Sequence, residues 1–364
     1  MMSVETLWVY NPEHDLCLAN GDAHFVAPES ALRLGDDCCE AMRWIGEADE
    51  LCRSSRGLCC SSRGLARVLR EVRPERVVPW GWNAVLTTQL RRLGVAERLL
   101  PSADELGRWR ALQHRSTAVR CASWLASRGV EVVECAFAAS VDEVVAAVSG
   151  GGDWVLKAPW SGSGRGLRWV RWPMSGHDLG WVARMVRTQG GVAVERRCRR
   201  VCDWAMLFAV DEEVSFTGYS LFATRGGVYA GNWLRSDGAV ERLVGELVGL
   251  DVVRRVRAEL AEWLRQEVWP CYRGPVGVDM LVYEDEVEGG ARLHPMVELN
   301  LRHTMGMVAH GLLARRPELE GGWMGVERAA AEGEGYVLQV RPPRSDWEAM
   351  ADRVKGMDCL FVNG

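Results

Sequence analysis

Three groups of residues in this chain have types and spacings suited to chemistry. The first is Lys157, which ends the apolar run Trp154–Leu156 and is followed by Ser161, Gly162, Ser163, Gly164 and Gly166 in one short stretch. Glycines let a backbone approach a phosphate closely with its N–H groups turned inward, and a lysine ammonium supplies a point charge for phosphate oxygens. The second group is Asp279, Glu298 and Asn300, on the two arms of an expected hairpin. Glu298 and Asn300 are two apart and share a strand face, which Asp279 on the partner strand can meet. Three hard oxygen donors suit Mg²⁺ shared with nucleotide phosphates. Left unpaired in an apolar strand, each would be costly; pairing with Arg302 or another arginine is the structural alternative. The third group is Asn11-Pro12-Glu13-His14-Asp15, with Trp82-Asn83 further on, each directly after an expected strand. In open α/β sheets, ligands sit beyond the carboxyl ends of the strands. Asn11, Glu13, His14, Asp15, Trp82 and Asn83 are therefore expected to recognise a substrate, against the plainer reading of polar turns with Asp15 as a helix cap.

Two common meanings of a glycine loop do not apply. A phosphate loop of the Walker type needs Gly-Lys-Ser/Thr opening a helix, and a dinucleotide fingerprint also needs a helix after its glycines. Here Leu167–Trp172 alternates with period two, so the pattern is strand, loop, strand. Composition sharpens the reading of Lys157. Of 44 Lys+Arg, only Lys157 and Lys355 are lysine. Arginine carries nearly all generic positive charge, so a lysine just before a glycine loop is less easily accidental. The same argument applies to the six asparagines. Lys157 reads as an edge residue facing phosphate, so its removal is expected to leave the fold intact.

The elements that must position these residues follow from periodicity. Thr6–Tyr10 and Arg76–Pro79 read as strands, 29–48, 61–71 and Ala84–Leu93 as helices, together a small parallel-sheet domain. Ser-Ser-Arg-Gly-Leu at 54–58 recurs at 61–65 as a local duplication. Leu106–Ser127 reads as one helix and Val130–Glu134 as a strand. Ser140-Val141-Asp142-Glu143 is a capping box for a helix at 141–148. After the loop come a helix at Asp178–Thr188 and strands at Gly191–Glu195, Trp204–Val210, Val214–Phe222 and Val228–Leu234. A helix at Asp251–Val268, the hairpin Val276–Tyr283 with Arg292–Leu299, and a helix at Arg302–Ala314 complete the reading.

The length of 364 residues fits two or three domains. A net charge of −5 and a pI near 5.9 argue against a nucleic-acid partner. No apolar run is long enough for a membrane span, and none resembles a signal peptide. The twelve cysteines lack Cys-x-x-Cys spacing, and the pairs Cys38-Cys39 and Cys59-Cys60 lack matching ligands. They read as reduced thiols of a cytoplasmic protein.

Taken in order, Gln113-His114-Arg115, Lys157 with its glycine loop, Val194-Glu195, Asp279, and Glu298-x-Asn300-x-Arg302 resemble the ATP-grasp superfamily, locally its carboxylase branch. The resemblance spans roughly residues 110–312. It implies an α+β fold: an α/β N-terminal domain (1–105), a mobile lid with the glycine loop (106–192) and an antiparallel catalytic domain (193–364). It implies an ATP-dependent ligase that activates a substrate carboxylate as an acyl phosphate and joins it to an amine or other nucleophile. A kinase on the same fold, or a nucleotide-binding protein without turnover, are the alternatives. ATP and Mg²⁺ (or Mn²⁺) are the implied cofactors, and small-molecule or peptide carboxylates and amines the partners. Arg115, Lys157, Ser161, Gly162, Ser163, Gly164, Gly166 and Glu195 would hold the nucleotide, and Asp279, Glu298 and Asn300 the metal. Arg302 and Lys157 would be catalytic, with Arg302 steadying the acyl phosphate or incoming carboxylate. The chain departs from the family pattern in three places. Arg115 stands where lysine is usual, Asp279 where glutamate is commoner, and Arg196-Arg197-Cys198-Arg199-Arg200 where the hinge is usually apolar and acidic. The Asn-Pro-Glu-His-Asp opening has no place in the common pattern and suggests a separate subfamily with its own substrate.

Overall fold

A computed structural model describes residues 2–45, 57–161, 166–286, 288–328 and 335–342. The chain begins with β1 (Met2–Tyr10), whose apolar residues are buried on both faces, as a central parallel strand requires. It runs into α1 (His14–Asn20) and α2 (Glu29–Cys38), then a 3₁₀ turn at Cys39–Trp44. β2 (Gly57–Ser61), α3 (Leu65–Val68), β3 (Val72–Pro79) and α4 (Ala84–Arg92) follow. The three strands make a parallel sheet in the order β2-β1-β3. Gly57-Leu58 of the first repeat copy begins a strand, whereas Gly64-Leu65 of the second begins a helix. The expected helix at 61–71 shrinks accordingly to one turn.

The expected single helix at 106–127 is two: α5 (Ala103–Leu112) and α6 (Arg115–Ser127). α5 opens on a capping box of Ser102 and Glu105. The break falls at Gln113-His114, and the His114 ring accepts from Ser116 N to cap α6. The expected strand at 130–134 lies instead at β4 (Cys135–Ala138), where pairing with β7 (Val192–Arg196) sets the register. Between them come α7 (Val141–Val148), β5 (Asp153–Lys157), β6 (Leu167–Arg171) and α8 (Gly176–Gln189). Ser140 caps α7 as expected, but Glu143 reaches back to Ala139 N rather than Ser140 N. The strands form an antiparallel sheet in the order β4-β7-β5-β6. With α7 and α8 they enclose a separate core built on Val144, Leu156, Val182 and Val192.

The third sheet has seven strands, in the order β12-β11-β8-β9-β10-β13-β14. β8 (Arg199–Val210), β9 (Val214–Arg225) and β10 (Val228–Trp233) form a meander, followed by α9 (Asp237–Val248) and α10 (Leu250–Glu267). β11 (Gly274–Glu284) and β12 (Ala291–Asn300) are the expected hairpin. α11 (Met305–Arg315) starts three residues later than expected, capped by Thr304, which leaves Arg302 in a bend. β13 (Trp323–Arg328) and β14 (Tyr336–Arg341), like α9, lie outside the sequence expectations.

Two cores cross the expected domain limits. Trp109, Leu112, Cys121 and Leu125 of α5 and α6 belong to the core of the large sheet, with Trp204, Leu260, Trp263 and Val278. Trp8, Tyr10 and Trp80 of the parallel sheet share a core with Leu234, Met324 and the buried face of α11. Among the described residues no helix is long and apolar enough to cross a membrane. The ten described cysteines are free, and among the described residues no group of three or more His, Cys, Asp or Glu side chains is placed to hold a metal.

Candidate active site

The four-stranded sheet meets the large sheet where Glu195 of β7 lies beside His294 of β12, and Arg115 joins Ser161 to Glu298 close by. Lys157, the last residue of β5, is almost fully buried. Its Nζ lies 2.7 and 2.8 Å from the two carboxylate oxygens of Glu195 on β7. Burial works against ionisation of Glu195, but Lys157 and then His294 outweigh it and hold the carboxyl down at about 2. His294, on β12, is the residue that sequence reading missed. It is 1% exposed, and its Nε2 sits 3.2 Å from Glu195 Oε2, out of line for a hydrogen bond. Its Nδ1 is buried without a partner. Its signal in the sequence is slight: one histidine on the strand that also carries Glu298 and Asn300.

The loop after Lys157 returns through Ala158 N donating to Gly166 O at 2.8 Å. A Cβ on Gly166 would come within 2.4 Å of the Ser161 side chain, so the return needs glycine. Gly162, Ser163 and Gly164 lie outside the described residues. Arg115, at the start of α6, ties this loop to the large sheet. Its Nε donates to Ala158 O at 3.1 Å, its Nη2 reaches Ser161 O and Oγ at 3.4 Å, and Nη2 pairs with Glu298 at 3.1 Å.

β11 and β12 pair Asp279 with Glu298 and Gly277 with Asn300, which puts all three oxygen-bearing side chains on one face. Asn300 Nδ2 donates to Asp279 Oδ2 at 3.3 Å. Burial and the neighbouring Glu298 push the Asp279 carboxyl up to about 7. Two adjoining carboxylates with an amide, one of them resisting its charge, fit a divalent cation that takes its remaining ligands from phosphate and water.

Arg302, just beyond, holds Asp15 of α1 in a two-point ion pair: Nε to Oδ1 and Nη2 to Oδ2, both 3.0 Å. Burial opposes both charges, yet each group stabilises the other. The Asp15 carboxyl is held below its ordinary value, and Arg302 is held above its own. The turns after β1 and β3 lie on one sheet edge, because the two strands run parallel with Val9 opposite Pro79, and Asp15 is in contact with Arg302. Asn11 bonds the Gly81 backbone in both directions, at 2.9 and 3.3 Å. Asn83 caps α4 through Leu86 N and donates to His14 Nδ1 at 3.2 Å. That leaves His14 Nε2–H to donate to Gln113 Oε1 at 3.2 Å, in a ring whose pKa burial lowers. A Cβ on Gly81 would lie 2.6 Å from the His14 ring. Glu13 is buried, accepts from Ser62 Oγ at 2.6 Å, and has its carboxyl pushed up by burial. Trp82 packs between the parallel-sheet core and the large-sheet core.

Of the residues expected to recognise a substrate, only Asp15 lines the pocket that also touches Arg115, Ser161, Glu298 and Asn300. The pocket thus lies between the N-terminal domain, the glycine loop and the acidic hairpin.

No family model and no curated protein matches the chain. Solved structures do. The N5-carboxyaminoimidazole synthetase from Staphylococcus aureus, complexed with ADP, aligns at a TM-score of 0.50 and 11% identity over 98% of this chain and 97% of that one. A protein from Archaeoglobus fulgidus assigned to the ATP-grasp superfamily aligns at 0.49 and 12%, over 93% and 100%. D-cycloserine synthetase DcsG aligns at 0.47 and 15%, over 85% and 99%. At such identities the likeness speaks for architecture, and the chain has the ATP-grasp fold.

Proposed function

We propose that this protein is an ATP-dependent ligase that activates a small-molecule or peptide carboxylate and joins it to an amine. The observation that carries the reading is the pocket lined by Asp15, Arg115, Ser161, Glu298 and Asn300, with Asp279 bonded to Asn300 and Arg302 to Asp15 at its margin. Phosphoryl transfer asks a protein mainly for positioning and charge neutralisation, and this cleft is arranged for both. Lys157, Arg115, Ser161, Gly166 and Glu195 hold the nucleotide. Asp279, Glu298 and Asn300 hold Mg²⁺ or Mn²⁺, which neutralises the phosphate charge. Arg302 binds the substrate carboxylate, exchanging one carboxylate for another as Asp15 yields. A carboxylate oxygen then displaces ADP from the γ-phosphorus, and the amine displaces phosphate from the acyl phosphate. Asp15, released from Arg302 but still in the pocket wall, is placed to accept the ammonium. Asn11, His14 and Asn83 serve that wall by fixing its turns.

The test follows ¹⁸O from a labelled carboxylate during ADP release, across a panel of carboxylates and amines. Label in inorganic phosphate, with a new amide detected by mass, is the expected result. Label retained in a phosphorylated product would make the protein a kinase. ATP binding with no acceptor consumed would make it a nucleotide-binding protein without turnover.

A further inference from the structure

A second concavity adjoins the pocket of Asp15 and Arg115 and shares its His114 and Trp160 walls. It is an open groove of about 520 Å³, lined by Arg108 and Arg110 of α5 and by Ser116 and Arg120 of α6. The break between α5 and α6 brings these side chains to one concave wall. No Asp or Glu lines it, although the chain carries a net charge of −5. Three guanidiniums on one wall with no carboxylate among its lining residues repel one another, and a concave wall focuses their field.

The arginines are held by neutral partners. The Arg110 guanidinium lies 3.8 Å over the Trp160 ring and its Nε donates to Leu18 O at 2.8 Å. Arg120 Nη2 donates to Thr117 Oγ1 at 3.3 Å. Arg108 has no ion pair among the described residues; Glu105, one turn earlier, gives its carboxylate to the Ser102 cap. The first N–H groups of α6, beside capping His114, add a positive dipole end to the same wall. Trp160 is also fixed from behind, its Nε1 donating to Arg110 O at 2.9 Å.

We infer that this groove holds a second anionic group, a carboxylate or a phosphate, on the same substrate whose reacting carboxylate occupies the adjoining pocket. The substrate is then an elongated dianion that passes His114 and Trp160. The inference rests on the ligase reading and narrows its substrate class.

The experiment measures ADP release by the full chain with saturating ATP and Mg²⁺, over paired acids of equal length. Each pair sets an α,ω-dicarboxylate, or a phosphono-carboxylate, against the corresponding monocarboxylate. The wild type should favour one or more dianions, the preferred tail telling carboxylate from phosphate. Arg108→Ala/Arg120→Ala alters exposed residues and should cut the dianion-to-monoanion ratio of kcat/KM by about 10-fold. No preference in the wild type, or an equal ratio in the double variant, overturns the inference. If no acid releases ADP, the ligase reading falls and the groove is judged separately. Calorimetric binding of tricarballylate to the ATP-loaded protein should then weaken about 10-fold in the same variant. Unchanged tricarballylate binding would overturn the groove itself.

Discussion

At the carboxyl ends of β1 and β3, Asn11, His14 and Asn83 are buried and spend their polar atoms on protein partners. Where the sheets face each other, Lys157 is buried and Glu195, Asp279 and Glu298 are partly buried, and all four are ionisable. Lys157 and Glu195 pair with each other, Glu298 with Arg115 and Asp279 with Asn300, and His294 beside Glu195 has no partner that is well aligned. A satisfied polar network fixes geometry. A charged cluster with like charges adjoining and a histidine left over retains capacity for a charged guest. The difference teaches that polar residues at a strand end are not all of one kind. Those that hold a turn can be told from those that wait for a ligand by where their hydrogen bonds go.

The sharpest way to break this comparison is at the hairpin. Asp279→Asn or Glu298→Gln should lower Mg²⁺-dependent ADP release by about 100-fold or more. Asp279→Asn should leave the metal-free melting temperature level or raised, because a crowded carboxylate has been removed, whereas Glu298→Gln should lower it by unpairing buried Arg115. A clear drop in melting temperature with activity kept would assign the trio to structure.

Next comes Lys157. Its burial against Glu195 corrects the expectation that its removal spares the fold. Lys157→Met strands a buried carboxylate and should cost about 3–5 kcal/mol in denaturant unfolding at neutral pH. Adding Glu195→Gln should recover most of that stability while ATP affinity stays lost. Recovery of both would remove Lys157 from the nucleotide site.

A pH titration probes the boundary between the two regions. His303 N donates to Trp80 O at 2.9 Å, and its Nδ1 lies 3.0 Å from Pro79 O. Burial lowers its pKa to about 4. The unfolded chain, with an ordinary histidine near 6.5, therefore takes up its proton first as pH falls. The contribution is whole above pH 6.5, is lost between 6.5 and about 4, and changes no further below. Across that window it amounts to about 3 kcal/mol. His303→Asn should flatten this part of the stability profile, and an unaltered slope would exclude His303 as its source.

The smallest effects separate neighbours in one turn system. Asp15→Asn should raise the KM for the acceptor about 10-fold without altering ATP affinity. Asn83→Ala should cost about 1–2 kcal/mol as a lost helix cap, with acceptor KM little changed. If Asn83→Ala moved the acceptor KM as much as Asp15→Asn, the distinction between turn-holding and ligand-facing residues would fail here.

The strand ending at Lys157 was legible as a short apolar run, and its partner at Leu167–Arg171 from period-two alternation, both of which are local signals. The break at Gln113-His114 was not. Neither residue is a usual helix breaker, and the break serves a distant need: it lets Arg115 reach Ala158, Ser161 and Glu298. The Asp15–Arg302 pair spans 287 positions, and no spacing rule connects residues so far apart. The shared edge of the two N-terminal turns could be read from strand polarity. Which of their side chains would be consumed by the protein could not, because hydrogen-bond partners such as Gly81 and Gln113 are set by packing.

The core that Trp8, Tyr10 and Trp80 share with α11, Leu234 and Met324 has a consequence for how the molecule comes apart. A strand whose side chains fill another domain's interior cannot leave without opening that interior. The parallel sheet and the large sheet should therefore unfold as one cooperative unit, whereas the lid, with its own small core, can open alone. In native-state hydrogen exchange, the amides of Trp80 and His303 should share one high protection level, and those of β5 and β7 a lower one. The strands that carry Lys157 and Glu195 would then exchange first, and the turns that carry Asp15 and Asn83 would be among the last places to melt.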